Sequence, residues 1–160
     1  MELPEATKIR LQSQHLTIKE LVSRLSEDEY NRELIPGKWT IRQQLAHLVR
    51  YQEMFFERVQ TIMGKFDAVF EPYVAEDDAQ FPKVAQLPVG ELMIKLHEMR
   101  ETISKFYLSL DSGELVRKGR HTQLGNFSIA LWAEFFLLHE AHHIFEIFRM
   151  SSRIVTEKED

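Results

Sequence analysis

The sequence predicts an all-α protein, a four-helix bundle with a long connection between its second and third helices. Four segments of about 20 residues repeat their apolar side chains every three or four positions, the spacing of one helix face. No segment shows the convincing alternation of a β-strand. Because no apolar run approaches the roughly 20 residues that cross a bilayer, these helices are expected to bury their apolar faces against each other.

The first two predicted helices are separated by a turn that ends in a Pro-Gly pair. The first covers about residues 6–25, with apolar residues at helical spacing. The second begins after Thr40, because Thr40 and Gln43 form a capping-box pattern at a helix start. It is expected to end near Gly64, since glycine commonly terminates helices.

The second half of the chain contains the long connection and two further helices. Residues 65–87 are rich in acids and prolines, and they are either a solvated surface loop or a lid near a functional site. The third helix is predicted at about residues 88–110 and the fourth at about 128–150. The fourth is apolar on most sides, which predicts that it is the most buried. Residues 1–155 are expected to form a single domain, followed by a charged, frayed tail at 156–160.

Composition narrows the class of function. The chain has 160 residues, 44% of them hydrophobic, a net charge of -5 and no cysteine. Without a basic stripe, a nucleic-acid partner is not expected, and no membrane segment is predicted. The lack of cysteine excludes disulfides, thiol catalysis by the chain itself and cysteine-ligated zinc. With no signal-peptide pattern at the start of the chain, a cytoplasmic protein is expected.

The fourth predicted helix carries an unusual cluster, with His139, His142 and His143 beside Glu140 and Glu146. At about 100° per residue, His143 lies about 40° from His139 and Glu146 about 20° to the other side, so the three share one face. His142 lies about 100° from His143 and is the weaker ligand candidate. Burying imidazoles in an apolar helix is costly unless something binds them, and a divalent metal is the usual partner.

His47 in the second predicted helix is the natural third ligand. Two protein ligands hold a metal weakly, whereas three with one open position are the usual arrangement in catalytic sites. His47 lies at the flank of its helix's apolar stripe. We therefore expect it at the rim of the core, where solvent and substrate reach it.

Residues 139–143 also match H-E-x-x-H, the motif of zinc peptidases. That motif needs a third ligand, usually further downstream, and only 17 residues follow His143. No sheet edge for a peptide substrate is predicted either. The sequence therefore argues against a peptidase of this kind.

Two segments resemble the DinB/YfiT-like superfamily. Residues 37–48 are similar to the start of its second helix, where a tryptophan and a capping residue precede a histidine followed by a leucine. Residues 125–147 resemble the segment that carries its H-(D/E)-x-x-H signature. The resemblance implies a four-helix bundle, often a homodimer, with a zinc or nickel ion held by three histidines. Carried over to this chain, the ligands are His47, His139 and His143.

One position departs from the family pattern, which often has glutamine where this chain has Glu146. The carboxylate is expected either to lie behind the ligands or to bind the metal as a fourth ligand, which would close the site. His142 is expected to lie behind the ligands or to face solvent.

The resemblance implies a metal-activated S-transferase that uses a small thiol such as bacillithiol, because characterised relatives include such enzymes. The residues leave two alternatives open. One is a hydrolase that uses metal-bound hydroxide, with Glu140 as a candidate base. The other is a non-enzymatic, stress-associated protein with a structural metal. A small-molecule substrate is expected in either enzyme.

Overall fold

Four long helical segments form the body of the protein, as the sequence predicts. The computed structural model describes residues 2–159. The helices are α1 (Glu5–Ser13), α2 (Leu16–Val22), α3 (Glu27–Tyr30), α4 (Ile41–Gly64), α5 (Phe81–Val84), α6 (Val89–Ser109), α7 (Ser112–Leu115) and α8 (Ile129–Glu159). Helix α4 packs against α6 and α8, and the α1–α2 pair closes the bundle against the same two helices. The predicted four-helix bundle is thereby confirmed.

The start of α4 follows the capping box that the sequence predicts. The Thr40 hydroxyl accepts a hydrogen bond from the backbone N–H of Gln43 at 3.3 Å. The Gln43 side chain in turn accepts from the backbone N–H of Thr40 at 2.8 Å. These two bonds satisfy donors that a helix terminus leaves free, so they fix where α4 begins. Its end at Gly64 also agrees with the prediction.

The first predicted helix is in fact two. The chain turns at Gln14 and His15, between α1 and α2, instead of continuing from residue 6 to 25. At the break, the Gln14 amide donates to the backbone oxygen of Leu137 at 2.9 Å and to the Glu140 carboxylate at 2.8 Å. No proline or glycine marks the break, which is why the apolar pattern alone did not reveal it.

The prediction that the chain has no strands is wrong, because the structure contains a small sheet. Strands β2 (Lys118–His121) and β3 (Gly125–Ser128) pair antiparallel, and β1 (Val69–Phe70) adds parallel to β2. The strands are too short and too polar to show a strand pattern. A Cβ on Gly119 would lie 2.6 Å from the Ile62 side chain, so the sheet can approach α4 this closely only with glycine there.

The long connection is ordered by contacts with α4. Besides β1 and α5 it contains a 3₁₀ turn at Ala75–Asp77. Arg50 of α4 forms an ion pair with Asp78 at 2.7 Å, and the Tyr73 hydroxyl donates to the same carboxylate at 2.7 Å. Because these bonds attach the connection to α4, they hold Tyr73 beside His47 of that helix.

Helix α8 continues well beyond its predicted end. Residues 156–159, expected to be frayed, are helical. Glu157 pairs with Arg32 at 2.6 Å and Lys158 with Glu29 at 2.7 Å. These exposed ion pairs connect the last turn to the α3 region. Within residues 2–159, no helix is long and apolar enough to cross a membrane.

A buried polar layer crosses the bundle beneath the histidine cluster of α8. Arg100 of α6 and Glu140 of α8 form an ion pair, and both side chains are at most 1% exposed. Arg100 also donates to the Gln52 side chain at 3.0 Å, and its guanidinium lies 4.7 Å from the centre of the Phe136 ring. With Gln14 on the other oxygen of Glu140, the layer joins all four helical segments.

The buried ion pair of Arg100 and Glu140 leads to a prediction about stability. We expect Glu140→Leu alone to reduce the free energy of unfolding by about 3–5 kcal/mol, because it leaves the Arg100 charge buried without a partner. The double variant Arg100→Met/Glu140→Leu should recover most of that loss, since neither charge remains. Urea unfolding of the unmodified protein, of Arg100→Met and Glu140→Leu alone and of the double variant measures both effects. A double variant as unstable as the sum of its two single variants would contradict the prediction.

Candidate metal centre

The three histidines predicted as ligands meet at one point between α4 and α8. The Nε2 atom of His139 lies 3.1 Å from Nε2 of His47 and 3.2 Å from Nε2 of His143. All three candidate ligand atoms lie within 4.8 Å of each other. The one-turn spacing on α8 aligns two rings, and the packing of α4 against α8 supplies the third.

Burial keeps these imidazoles neutral. Loss of solvation, together with a smaller effect of neighbouring histidines, lowers the pKa of His47 to about 4, of His143 to about 3 and of His139 to about 2. At neutral pH each ring therefore carries a free lone pair. Neutral imidazole is the form that coordinates a metal ion.

Gln44 orients one of the three rings. Its side-chain oxygen accepts a hydrogen bond from Nδ1–H of His143 at 2.7 Å. With the proton on Nδ1, the Nε2 lone pair of His143 faces the other two histidines. The Nδ1 atoms of His47 and His139 are buried and have no hydrogen-bond partner among the described residues. Of the three rings, only that of His143 therefore has its tautomer fixed by a protein partner.

Aromatic side chains surround the three rings. Tyr51 stacks on His139 with ring centres 3.5 Å apart. Trp39 lies 4.9 Å from His47 and 6.2 Å from His143, and Tyr73 lies 5.6 Å from His47. These contacts limit the rotation of the rings and exclude most water from them.

The position of His47 differs from the expected one. The sequence placed it at the rim of the core, but its side chain is buried, with 5% of its surface exposed. The difference arises because Trp39 and Tyr73, which lie outside the predicted helices, cover it. His139 is the ligand candidate whose residue surface remains partly exposed, although the Nδ1 atom of its ring is buried.

Glu140, the candidate base, is directed away from the three imidazoles. Its carboxylate binds Arg100 and Gln14 in the buried layer. Both oxygens are thus occupied by donors. The helical position between His139 and His143 does not bring Glu140 to the face that those two residues share.

His142 and Glu146 lie beside the centre, at a neighbouring cavity. The exposed ring of His142 contacts that of His143 edge-on, with centres 5.0 Å apart. Glu146 pairs with Arg149 at 3.1 Å. Neither belongs to the group of three ligand atoms in the described residues. The geometry thus leaves one coordination position without a carboxylate.

The donor set fits a divalent metal ion. Two nitrogens bound to one zinc ion at about 2.0–2.1 Å, at a near-tetrahedral angle, lie about 3.3 Å apart. The Nε2–Nε2 separations of 3.1 and 3.2 Å are close to that value. A small movement of the rings would bring His47, His139 and His143 to coordination distance.

Comparison with known families agrees with the resemblance found in residues 37–48 and 125–147. Residues 11–147 match the family model described as the DinB superfamily. The chain belongs to the DinB superfamily. The match includes all three histidines, and the resemblance read from residues 37–48 and 125–147 is confirmed.

Two similar proteins carry a functional name. A protein of Bacillus mycoides named "putative metal-dependent hydrolase" is 25% identical over 118 residues, which cover 74% of this chain and 68% of the relative. A protein of the same name from Bacillus cereus is 24% identical over the same shares.

A solved structure shows the same fold. YfiT from Bacillus subtilis, described as "a probable metal-dependent hydrolase with an unusual four-helix bundle topology", superposes with a TM-score of 0.80. The match covers 94% of this chain and 86% of YfiT at 16% identity. The two chains therefore share a fold.

Several residues of the centre were not predicted as functional. Gln44 and Tyr51 lie three residues before and four after His47 on α4, so helical spacing from that histidine would have found both. Trp39, which precedes α4, packs against Phe81 as well as against His47. Tyr73 gave no sequence signal, because its place depends on the fold of the long connection.

The hydrogen bond from His143 to Gln44 makes a prediction about metal affinity. We expect Gln44→Leu to weaken zinc binding by about 10- to 100-fold, because His143 loses its orienting acceptor. Gln44→Glu should retain the affinity, since a carboxylate accepts the same bond. Competition with a chromophoric chelator measures both constants.

The control is Gln60→Leu, which changes an exposed glutamine further along the same helix. It should bind zinc as the unmodified protein does. Equal affinity for Gln44→Leu and the control would show that Gln44 does not orient the ligand.

Proposed function

We propose that the protein is a divalent-metal-dependent enzyme, with the ion held by His47, His139 and His143. The observation that carries the proposal is the convergence of three neutral imidazoles from two helices, with their Nε2 atoms facing each other. Three protein ligands with an open fourth position are typical of catalytic zinc, whereas structural sites are closed by four. Glu146 is engaged by Arg149, which supports the open arrangement over a structural metal.

The metal supplies Lewis acidity, which lowers the pKa of a water or thiol ligand towards neutrality. The chain supplies the geometry. Gln44 holds the His143 lone pair towards the centre, and Tyr51 restricts the His139 ring. Trp39 and Tyr73 exclude bulk water on the His47 side, which strengthens the electrostatic effect of the ion.

Hydrolysis is the reaction class that the comparisons favour, and we propose an ester or amide as the bond that is cleaved. The Bacillus relatives carry the name of metal-dependent hydrolases. The cavity that lies against Gln44 and His143 lets a substrate approach on that side of the centre. We propose that this chain shares the relatives' reaction class.

Thiol transfer is the second candidate, and one feature favours it. A cavity of about 500 Å³ lies against His143 and Gln44. That space would hold a second small molecule beside the metal, as a transferase requires. Because the chain has no cysteine, the thiol would come from a cosubstrate of the bacillithiol kind.

The metal is proposed to be zinc or nickel. Imidazole nitrogens are suitable ligands for zinc and nickel, and they also suit copper and iron. The resemblance to the family selects the first two.

We propose that Glu140 is a positioning residue and not the general base that the sequence suggested. Its ion pair with Arg100 anchors the turn of α8 between His139 and His143. It therefore positions both ligands and does not transfer protons in the reaction.

The first test of the proposal is metal content and turnover. We expect untagged protein to bind about one zinc or nickel ion per chain and His143→Ala to lose it, because two histidines hold an ion weakly. His142→Ala should keep the ion, since its ring is outside the group. Elemental analysis measures the content.

Aryl-ester hydrolysis and transfer of a small thiol to an aromatic electrophile are then assayed on the loaded protein. Turnover of the ester alone supports the hydrolase, and thiol-dependent product supports the transferase. A protein that binds no metal after incubation with zinc and with nickel would contradict the proposal.

We also propose that the protein is a homodimer that pairs through the outer face of α8. Four apolar side chains on this face are about half exposed: Leu131 46%, Leu138 62%, Phe145 55% and Phe148 48%. Two antiparallel copies of α8 that cross at Ala141 would place Leu138 of each on Phe145 of the other. The small Ala141 at the crossing point permits close approach of the two helices.

The dimer prediction is tested by sedimentation velocity. We expect Leu138→Glu to give monomers, because it places a charge in the apolar contact. Ile94→Glu is the matched control, since Ile94 is 58% exposed on α6, away from this face. A monomeric unmodified protein, or a dimeric Leu138→Glu variant, would contradict the proposal.

A further inference from the structure

The cavity beside the metal centre has an apolar body and a charged rim. Trp39, Gln44 and His143 form its base, so it shares a wall with the centre. Leu34, Ile35 and Met150 line its sides. Its volume of about 500 Å³ is within the range of small-molecule sites, about 300–1,000 Å³.

Four charged side chains line the rim, and two of them neutralise each other. Glu146 and Arg149 form an ion pair at 3.1 Å. The other two are Lys38, from the segment before α4, and Glu76, from the long connection. Neither Lys38 nor Glu76 forms an ion pair within the part of the chain that the structure describes.

From this arrangement we infer that the cavity binds a zwitterionic substrate of the amino-acid type, with its carboxylate on Lys38, its ammonium on Glu76 and an apolar side chain against Leu34, Ile35 and Met150. This inference rests on the proposed function for its metal. It adds the substrate class.

Charge complementarity selects the zwitterion over a simple acid or amine. A ligand that covers the rim removes water from both free charges. If it carries only one charge, either Lys38 or Glu76 loses solvation without gaining a partner, and that cost opposes binding. A ligand with both charges compensates each loss.

Two sources share this chemistry. Short peptides and other amino-acid amides would serve the hydrolase, and cysteinyl thiols would serve the transferase. In either case the amino-acid group occupies the cavity and the reacting atom approaches the centre past His143.

Calorimetric binding of three related compounds tests the inference on zinc-loaded protein. Leucylglycine carries both charges, N-acetyl-leucylglycine only the negative one, and leucylglycine amide only the positive one. We expect leucylglycine to bind about tenfold more tightly than either analogue, the value of one partly desolvated ion pair. Equal binding of all three, or binding of none, would overturn the inference.

Substitutions at the rim assign each charge. Lys38→Gln should remove the preference over leucylglycine amide, and Glu76→Gln the preference over the N-acetyl compound. Lys95→Gln and Glu57→Gln, at exposed positions of α6 and α4, are the matched controls and should retain both preferences. A rim variant that behaves as its control overturns the assignment.

The same titrations on His47→Ala test the substrate class separately from the proposed function. This substitution removes a proposed metal ligand but leaves the cavity unchanged, because His47 does not line it. A preference that persists in this variant supports the cavity even if the loaded protein turns nothing over. Turnover without any preference would overturn the substrate class alone. Cysteinylglycine that binds more tightly than leucylglycine only when zinc is present identifies the thiol as the source.

Discussion

The structure depends on the burial of three imidazoles at one point between two helices. Each ring costs free energy when it leaves water, and the cost is acceptable only if the ring stays neutral and its nitrogen atoms find partners. In this protein the Nε2 atoms of His47, His139 and His143 face each other, while two of the three Nδ1 atoms lack partners. Protein groups alone leave the three converging Nε2 lone pairs without donors that suit all of them, and a divalent ion would accept all three.

The surrounding elements keep these rings in place. The capping box at Thr40 fixes the start of α4, and hence the height of His47 and Gln44 along the bundle. The ion pair of Arg100 with Glu140 holds α8 against α6 directly beside the two ligands of that helix. The long connection, tied to Arg50, adds Tyr73 above His47. Stability and site geometry thus come from the same contacts.

The sequence predicted what depends on helical periodicity and local caps. The start of α4, the bundle and the common face of His139 and His143 follow from residue spacing alone, and the meeting of these residues with His47 followed from the family resemblance. Features that depend on tertiary contacts were missed: the break at Gln14, the β2–β3 hairpin and the burial of His47. The interpretation of Glu140 as a base failed for the same reason, since only the structure shows that its carboxylate pairs with Arg100.

X-ray absorption of the zinc-loaded protein, with and without a small thiol, is the most direct test of an open three-histidine centre. We predict three imidazole nitrogens and one oxygen at about 2.0–2.1 Å, with the oxygen replaced by a sulfur at about 2.3 Å when the thiol is added. A fourth protein ligand that the thiol does not displace, or fewer than three imidazoles, would contradict the account.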